Sequence, residues 1–104
     1  MTRRAVLAWL AARRPVAPDA LRAGLEAAVT GAELSPTVPL PDQLALLGRR
    51  VLGRVVVGRP AGGRELALEL LVADAFITYA FEAQSEVDAA GLAALAERIA
   101  GSER

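Results

Sequence analysis

The chain contains no cysteine and no histidine. Without cysteine there is no disulfide, no thiolate nucleophile and no thiolate metal site, and the redox setting is left open. Without histidine, the side chain best suited to proton transfer near neutral pH and the commonest metal ligand are missing. Lysine is absent as well, all 12 basic residues being arginine, so Schiff-base chemistry through a lysine amine is excluded. Serine occurs only at 35, 85 and 102, in loops or caps with no base to activate it, so a serine nucleophile is not expected. No uncharged apolar run approaches the ~18 residues of a membrane span, and residues 6–12 are too short and too soon closed by Arg13 and Arg14 for a secretory leader. Neither a membrane segment nor a leader is therefore expected.

What is present is a chain of 104 residues, 54% hydrophobic and 23% charged, a balance typical of one folded globular domain. The expectation is a single helical domain over 1–104. Arginine-only, alanine-rich usage is what a GC-rich bacterial genome produces without selection for function, and a cytoplasmic setting is expected. Net charge is zero, but residues 1–64 carry ten arginines against four acids, +6, and residues 65–104 carry two arginines against eight acids, −6. Either the halves neutralise one another in the fold or the basic half addresses a partner.

Periodicity and breakers predict an all-α fold, a compact bundle of about five helices. A first helix over 2–14 clusters Val6, Leu7 and Leu10 with Trp9 beside them, and Pro15 and Pro18 end it. A second opens at Pro18-Asp19, carries Leu21, Leu25, Ala28 and Val29 inward, allows an Arg22–Glu26 pair, and stops at Gly31. The segment "ELSPTVPLP" is a rigid non-helical connection; its Pro36 and Pro39 fit a PxxP ligand less well than a plain linker. From 42 to 57, Leu44, Leu47, Val51, Leu52 and Val55 form one arc of a third helix and Arg49, Arg50 and Arg54 the other. Gly48 and Gly53 within it either admit a neighbouring helix or mark a bend. "VVV" at 55–57 favours strand locally but has no strand to pair with, and "GRPAGG" at 58–63 is the clearest break. A long central hydrophobic helix over 64–84 follows, with Leu66, Leu70, Ala73, Ile77 and Phe81 as its expected core stripe. Ser85 and Asp88 have capping-box spacing and open a last helix with Leu92, Leu95 and Ile99 inward.

The central helix carries the polar groups that raise a functional question. Asp74, Thr78 and Glu82, with Tyr79 nearby, form the one candidate ligand, interface or catalytic cluster. Two carboxylates two helical turns apart lie roughly 12 Å from each other at 1.5 Å per residue, too far for the paired acid and nucleophile of glycoside cleavage. Pairing with arginines from the basic half accounts for the acids better. Glu65 and Glu69, one turn apart at a helix start, are accounted for by the helix dipole, and no metal or other cofactor is expected. "GRPAGGR" lacks the spacing of a phosphate loop. Arg49, Arg50, Arg54, Arg59 and Arg64 are candidates for a protein partner or for nucleic acid or another polyanion, although the neutral net charge and the scarcity of aromatics weigh against nucleic acid. The expected function is a non-catalytic interaction or scaffold module, a homodimer that meets a protein partner through an apolar groove and the arginine-bearing third helix. A polyanion binder, and a small-ligand pocket or minor enzyme around Asp74, Tyr79 and Glu82, are the alternatives.

Overall fold

The computed structural model describes residues 2–57 and 63–101, so Arg59 and most of the break at 58–63 lie outside the described residues. Among the described residues five α-helices run in the order α1 (Arg3–Ala11), α2 (Asp19–Thr30), α3 (Leu40–Val57), α4 (Gly63–Val87) and α5 (Leu92–Gly101), with a 3-10 turn at Ala89–Gly91 before α5. Among the described residues there is no strand, and α3 runs helical through the valines at 55–57. The all-α expectation, with a long central helix, is met. No helix among the described residues is long and apolar enough to cross a membrane.

Local chemistry sets the ends. The Thr2 hydroxyl accepts the Ala5 amide at 3.1 Å and caps α1. α1 stops at Ala11, three residues before the expected end. Proline at 15 disfavours helical dihedrals at Arg14, and the Arg13 side chain turns back to donate to the Trp9 carbonyl at 3.1 Å, an acceptor it shares with the Ala12 amide at 3.2 Å. The C-terminal end of α2 is closed by Arg3, which donates to the carbonyls of Val29 (3.3 Å) and Ala32 (2.7 Å) and so ties the first turn of α1 to the last of α2. α3 begins two residues before the expected start because Pro41 fits a first turn, where a missing N–H costs nothing. On α2, Arg22 pairs with Asp19 at 2.9 Å rather than with Glu26, an exposed i,i+3 contact.

The core is built around α4. Val6 of α1, Leu25 and Val29 of α2, Leu44, Leu47 and Val51 of α3 and Leu95 of α5 are buried against Val72, Ala73, Phe76, Ala80 and Ala83 of α4. The row Val72, Phe76, Ala80 and Ala83 lies about 100° round the helix from the expected stripe of Leu66, Leu70, Ala73, Ile77 and Phe81. Of that stripe only Ala73 is buried. Leu70 is exposed, and Leu66, Ile77 and Phe81 are half-buried. Backbone proximity decides between the faces. A Cβ at Gly24 of α2 would stand 2.7 Å from the Val72 side chain, and one at Gly48 of α3 would stand 2.9 Å from Ile77 and 3.1 Å from the Ala73 carbonyl oxygen. Both helices press on α4 through a glycine, Gly24 against Val72 and Gly48 against Ala73 and Ile77, while Phe76, Ala80 and Ala83 complete the buried row.

Three further expectations are corrected. Leu52 of α3 is exposed rather than inward, whereas Leu44, Leu47 and Val51 are buried as expected. Ser85 does not open the last helix: α4 continues past it, and its hydroxyl donates to the Glu82 carbonyl at 2.9 Å. Asp88 takes over the capping, its Oδ1 accepting the Ala90 amide at 3.0 Å at the head of the 3-10 turn. Of the two glycines of α3, Gly48 admits a neighbouring helix, whereas nothing lies within 4 Å of a Cβ at Gly53.

The one buried polar side chain among the described residues is Gln43, 2% exposed, and its Oε1 has no hydrogen-bond partner there. An orphaned buried carbonyl costs about 1–3 kcal/mol. Gln43→Met keeps the unbranched shape and removes the orphan, so the variant should unfold at a higher temperature than the parent. A lower midpoint in a thermal melt would mean that the amide oxygen is satisfied in solution.

Candidate functional site

The sequence nominated one polar cluster on α4, and the fold distributes it. Asp74 is exposed and lines a groove of about 280 Å³ between α3 and α4, walled by Gly48, Arg49, Leu52, Leu70 and Ile77. Tyr79 lines a different groove of about 390 Å³, between α1, α2 and α4, with Arg13, Arg22, Leu25 and Glu26. Thr78 is exposed. Glu82 faces α1 and is held by Arg13. Residues four apart on a helix turn by about 40°, enough for Asp74, Thr78 and Glu82 to reach separate neighbours once several helices surround α4.

A third groove of about 370 Å³ adjoins the first. It is walled by Val38, Ala45, Leu46 and Leu95, and shares Arg49 and Ile99 with its neighbour. Arg98 of α5 donates both Nε and Nη2 to the Asp42 carboxylate at 2.9 and 3.1 Å, a two-pronged pair on its rim. The two grooves form one apolar face across α3, α4 and α5. The misplaced stripe of α4 supplies part of it, through Leu70 and Ile77.

The four candidate arginines among the described residues do not converge. Arg49 is half-buried in the groove walls, Arg50 and Arg64 are exposed, and Arg59 lies outside the described residues. Arg54 stands 3.8 Å from Glu69, both side chains being about half exposed, a pair of little energetic weight. Among the described residues no three acidic side chains come together as a metal site, Glu65 and Glu69 included.

The best-formed polar arrangement is one that sequence reasoning missed. The Arg13 guanidinium reaches Glu82 Oε1 and Glu86 Oε2, each at 2.9 Å, and lies 3.7 Å from the centre of the Trp9 ring. Trp9 Nε1 donates to Glu86 Oε1 at 3.2 Å, and the indole meets Tyr79 edge-on, with centroids 5.9 Å apart. α1 is thereby clasped to the C-terminal half of α4. A signal existed: Trp9 and Arg13 are four apart in sequence, Glu82 and Glu86 four apart on α4. Nothing local says that the two pairs meet. The Arg13 and Arg54 pairs each join the basic half to the acidic half, as Arg98 with Asp42 does in the opposite sense, and the principal donor, Arg13, comes from the segment after α1 and not from α3.

Hydrogen bonds from Arg13 and then Trp9 hold the Glu86 carboxyl below its ordinary value, against a smaller upward push from desolvation. For Arg13, burial pulls downward, but the bonds to Glu86 and Glu82 and their charges outweigh it and raise the guanidinium. A carboxylate depressed in the folded state adds stability in full above its unfolded value and loses it as pH falls through the folded one. The stability lead of the parent over Glu86→Gln should therefore hold at neutral pH and close below the ordinary glutamate value of about 4.3. Urea unfolding at several pH values measures it. A lead that persists undiminished at the acid end would contradict the clasp.

Protein-family models, curated proteins and solved structures contain no match to this chain, so the reading of the site rests on its geometry and chemistry.

Proposed function

We propose that the chain is a non-catalytic helical interaction module whose apolar face across α3, α4 and α5 receives a helical segment of a protein. One observation carries the reading. Leu46 (42% exposed), Leu52 (38%) and Leu70 (44%) stand open around adjoining grooves, on helices whose other faces already supply the core. Single exposed leucines are ordinary, but several bordering one concave surface, with polar groups at its rim, mark a docking site. The groove runs between the helices α3 and α4, flanked by Leu52 and Leu70 with Ile77 between them, a shape that the apolar side of an amphipathic helix fills. The absence of histidine, cysteine and lysine argues for binding rather than catalysis. A cytoplasmic setting is part of the same reading.

Capture of proteins from a cell extract by the tagged chain tests it. Loss of the captured protein with Leu52→Asp, a groove-wall change at an exposed position, is the expected result. A captured set unchanged by Leu52→Asp would remove the support. The polyanion alternative, through Arg49, Arg50, Arg54, Arg59 and Arg64, gains nothing specific from this arrangement, because Arg54 is drawn to Glu69 and Arg49 shares its groove with Asp74.

A further inference from the structure

We propose that α1, with Arg13 just beyond it, is a hinged strap that opens from α2 and α4 as a unit while the rest of the fold stays closed, the Arg13 clasp being its latch. The strap lies on a different surface from the α3–α4–α5 face and does not depend on the interaction reading.

Of the buried core residues described, α1 supplies Val6 alone, so α2 to α5 keep the rest of the core among themselves when α1 leaves. The strap is tied near its two ends by arginine. Arg3 holds the carbonyls of Val29 and Ala32, and Arg13 holds Glu82 and Glu86, whose side chains are about half exposed. Residues 2–14 contain four arginines and no acid, so charge supplies much of the hold on the acidic end of α4. The hinge follows directly. Among the described residues the amides of Arg14, Val16 and Ala17 make no backbone hydrogen bond, and Pro15 and Pro18 have no N–H to give. Next to the hinge the strap already stands away from the fold: a groove of about 390 Å³ lies between Leu10, Ala11 and Val16 on one side and Leu25, Glu26 and Tyr79 on the other. An element with one fully buried side chain, ties within reach of water and a backbone hinge free of ladder bonds opens at a lower free energy than the core it rests on. Opening breaks the contacts of Trp9 with Tyr79 and Glu86 and frees both carboxylates from Arg13. It uncovers a surface that is apolar at Leu25 and Tyr79 and acidic at Glu26, Glu82 and Glu86, the complement of the basic, apolar strap.

Single thiols test the strap, because the parent chain has none. Val6→Cys and Val72→Cys each replace a valine withdrawn from solvent, 0% and 2% exposed, by a small side chain that tolerates burial. Dilute maleimide should label the thiol at 6 at least about tenfold faster than the thiol at 72, despite their equal burial. Low urea should speed labelling at 72 more steeply than at 6, since opening the strap exposes less surface than unfolding the whole chain. Adding Glu82→Gln and Glu86→Gln to the Val6→Cys chain should speed its labelling roughly fivefold, the equivalent of one well-formed surface pair. Added salt should act in the same direction. Circular dichroism checks that the variants remain helical. Amide hydrogen exchange of the unsubstituted chain repeats the comparison: amides of residues 6–12 should exchange at a lower free energy, and with a smaller urea dependence, than those of 72–83. Equal rates with equal urea dependence in the two regions would mean that α1 unfolds only with the core, and would overturn the strap. Labelling at 6 that is fast but indifferent to the double glutamine substitution would overturn the Arg13 latch.

Discussion

Phe76→Ala is expected to lower stability by about 3–5 kcal/mol, the range for truncating a fully buried phenylalanine. Phe76 is the largest side chain completely withdrawn from solvent, and it sits midway along the buried row of α4, among residues from every other helix. Removing its ring leaves a void that α2 and α3 cannot close. Both already stand on α4 through glycine, and a closer approach would press Gly24 on the Val72 side chain and Gly48 on Ile77 and the Ala73 carbonyl. At about 4–8 °C per kcal/mol in a domain near this size, the thermal midpoint should fall by roughly 12 °C or more. Against an expected total of about 5–15 kcal/mol, the change takes away a large share of the fold. The informative comparison is Leu70→Ala on the same helix. The sequence pattern ranks Leu70 as core, whereas the fold leaves it exposed, and the expected loss there is under about 1 kcal/mol in a monomeric sample. Equal losses at the two positions would show that α4 is rotated from the orientation described.

Gly48→Leu is expected to have the next largest effect, about 3 kcal/mol at the upper end of the range for overpacking. The first atom added meets Ile77 at 2.9 Å, and the Ala73 carbonyl oxygen lies at 3.1 Å. The isoleucine tip can swing aside, but the carbonyl belongs to helix backbone and cannot, so the larger side chain must pry α3 from α4 along their closest approach. Gly53→Ala on the same helix serves as the control. With nothing within 4 Å of the added carbon, the gain in helix propensity of up to about 1 kcal/mol should appear as added stability. Denaturant midpoints for the two variants should move in opposite directions. Two losses would mean that Gly53 has a packing role that its open surroundings do not suggest.

These two glycines also explain how much of the fold was legible in advance. Helix positions followed from local chemistry. Prolines at 15, 18, 36, 39 and 41 and the glycines at 31 and 58–63 punctuate the chain, and within these bounds the 3.6-residue pattern leaves little choice. The inward faces of α2 and α5 were readable too, because each has one apolar side. α4 is apolar most of the way round, so periodicity alone could not say which side meets the core. The longest side chains, Leu66, Leu70, Ile77 and Phe81, were the natural choice, yet close helix packing selected the small ones, Ala73, Ala80 and Ala83, with Phe76 filling the space they leave. The close approach of Gly24 to Val72, and of Gly48 to Ala73 and Ile77, is a tertiary signal, visible in a sequence only once the neighbours are known.

The candidate site was legible to a similar degree. Pairing between the basic and acidic halves was foreseeable from charge, but which arginine would do it was not: Arg13 reaches acids 69 and 73 positions away, and no local pattern encodes that meeting. The nominated polar group of Asp74, Thr78, Tyr79 and Glu82 was drawn from proximity along one helix. In the fold, Asp74 and Tyr79 look into different grooves and Glu82 belongs to the Arg13 clasp. The apolar face over α3, α4 and α5 appears only when the excess hydrophobicity of α4 is set beside Leu46 and Leu52, two residues that a one-dimensional pattern assigns to separate sides of α3.

The rate at which single thiols react along α4 tests the orientation of that helix most directly, because the parent chain contributes no thiol of its own. Cysteine placed singly at Leu71, Val72, Asp74, Phe76, Thr78 and Ala80, in dilute protein treated with a maleimide, should react quickly at 71, 74 and 78 and slowly at 72, 76 and 80, following the exposed and buried positions of the fold. Rapid reaction at 72, 76 and 80, or rates that do not separate 71, 74 and 78 from 72, 76 and 80, would contradict the account.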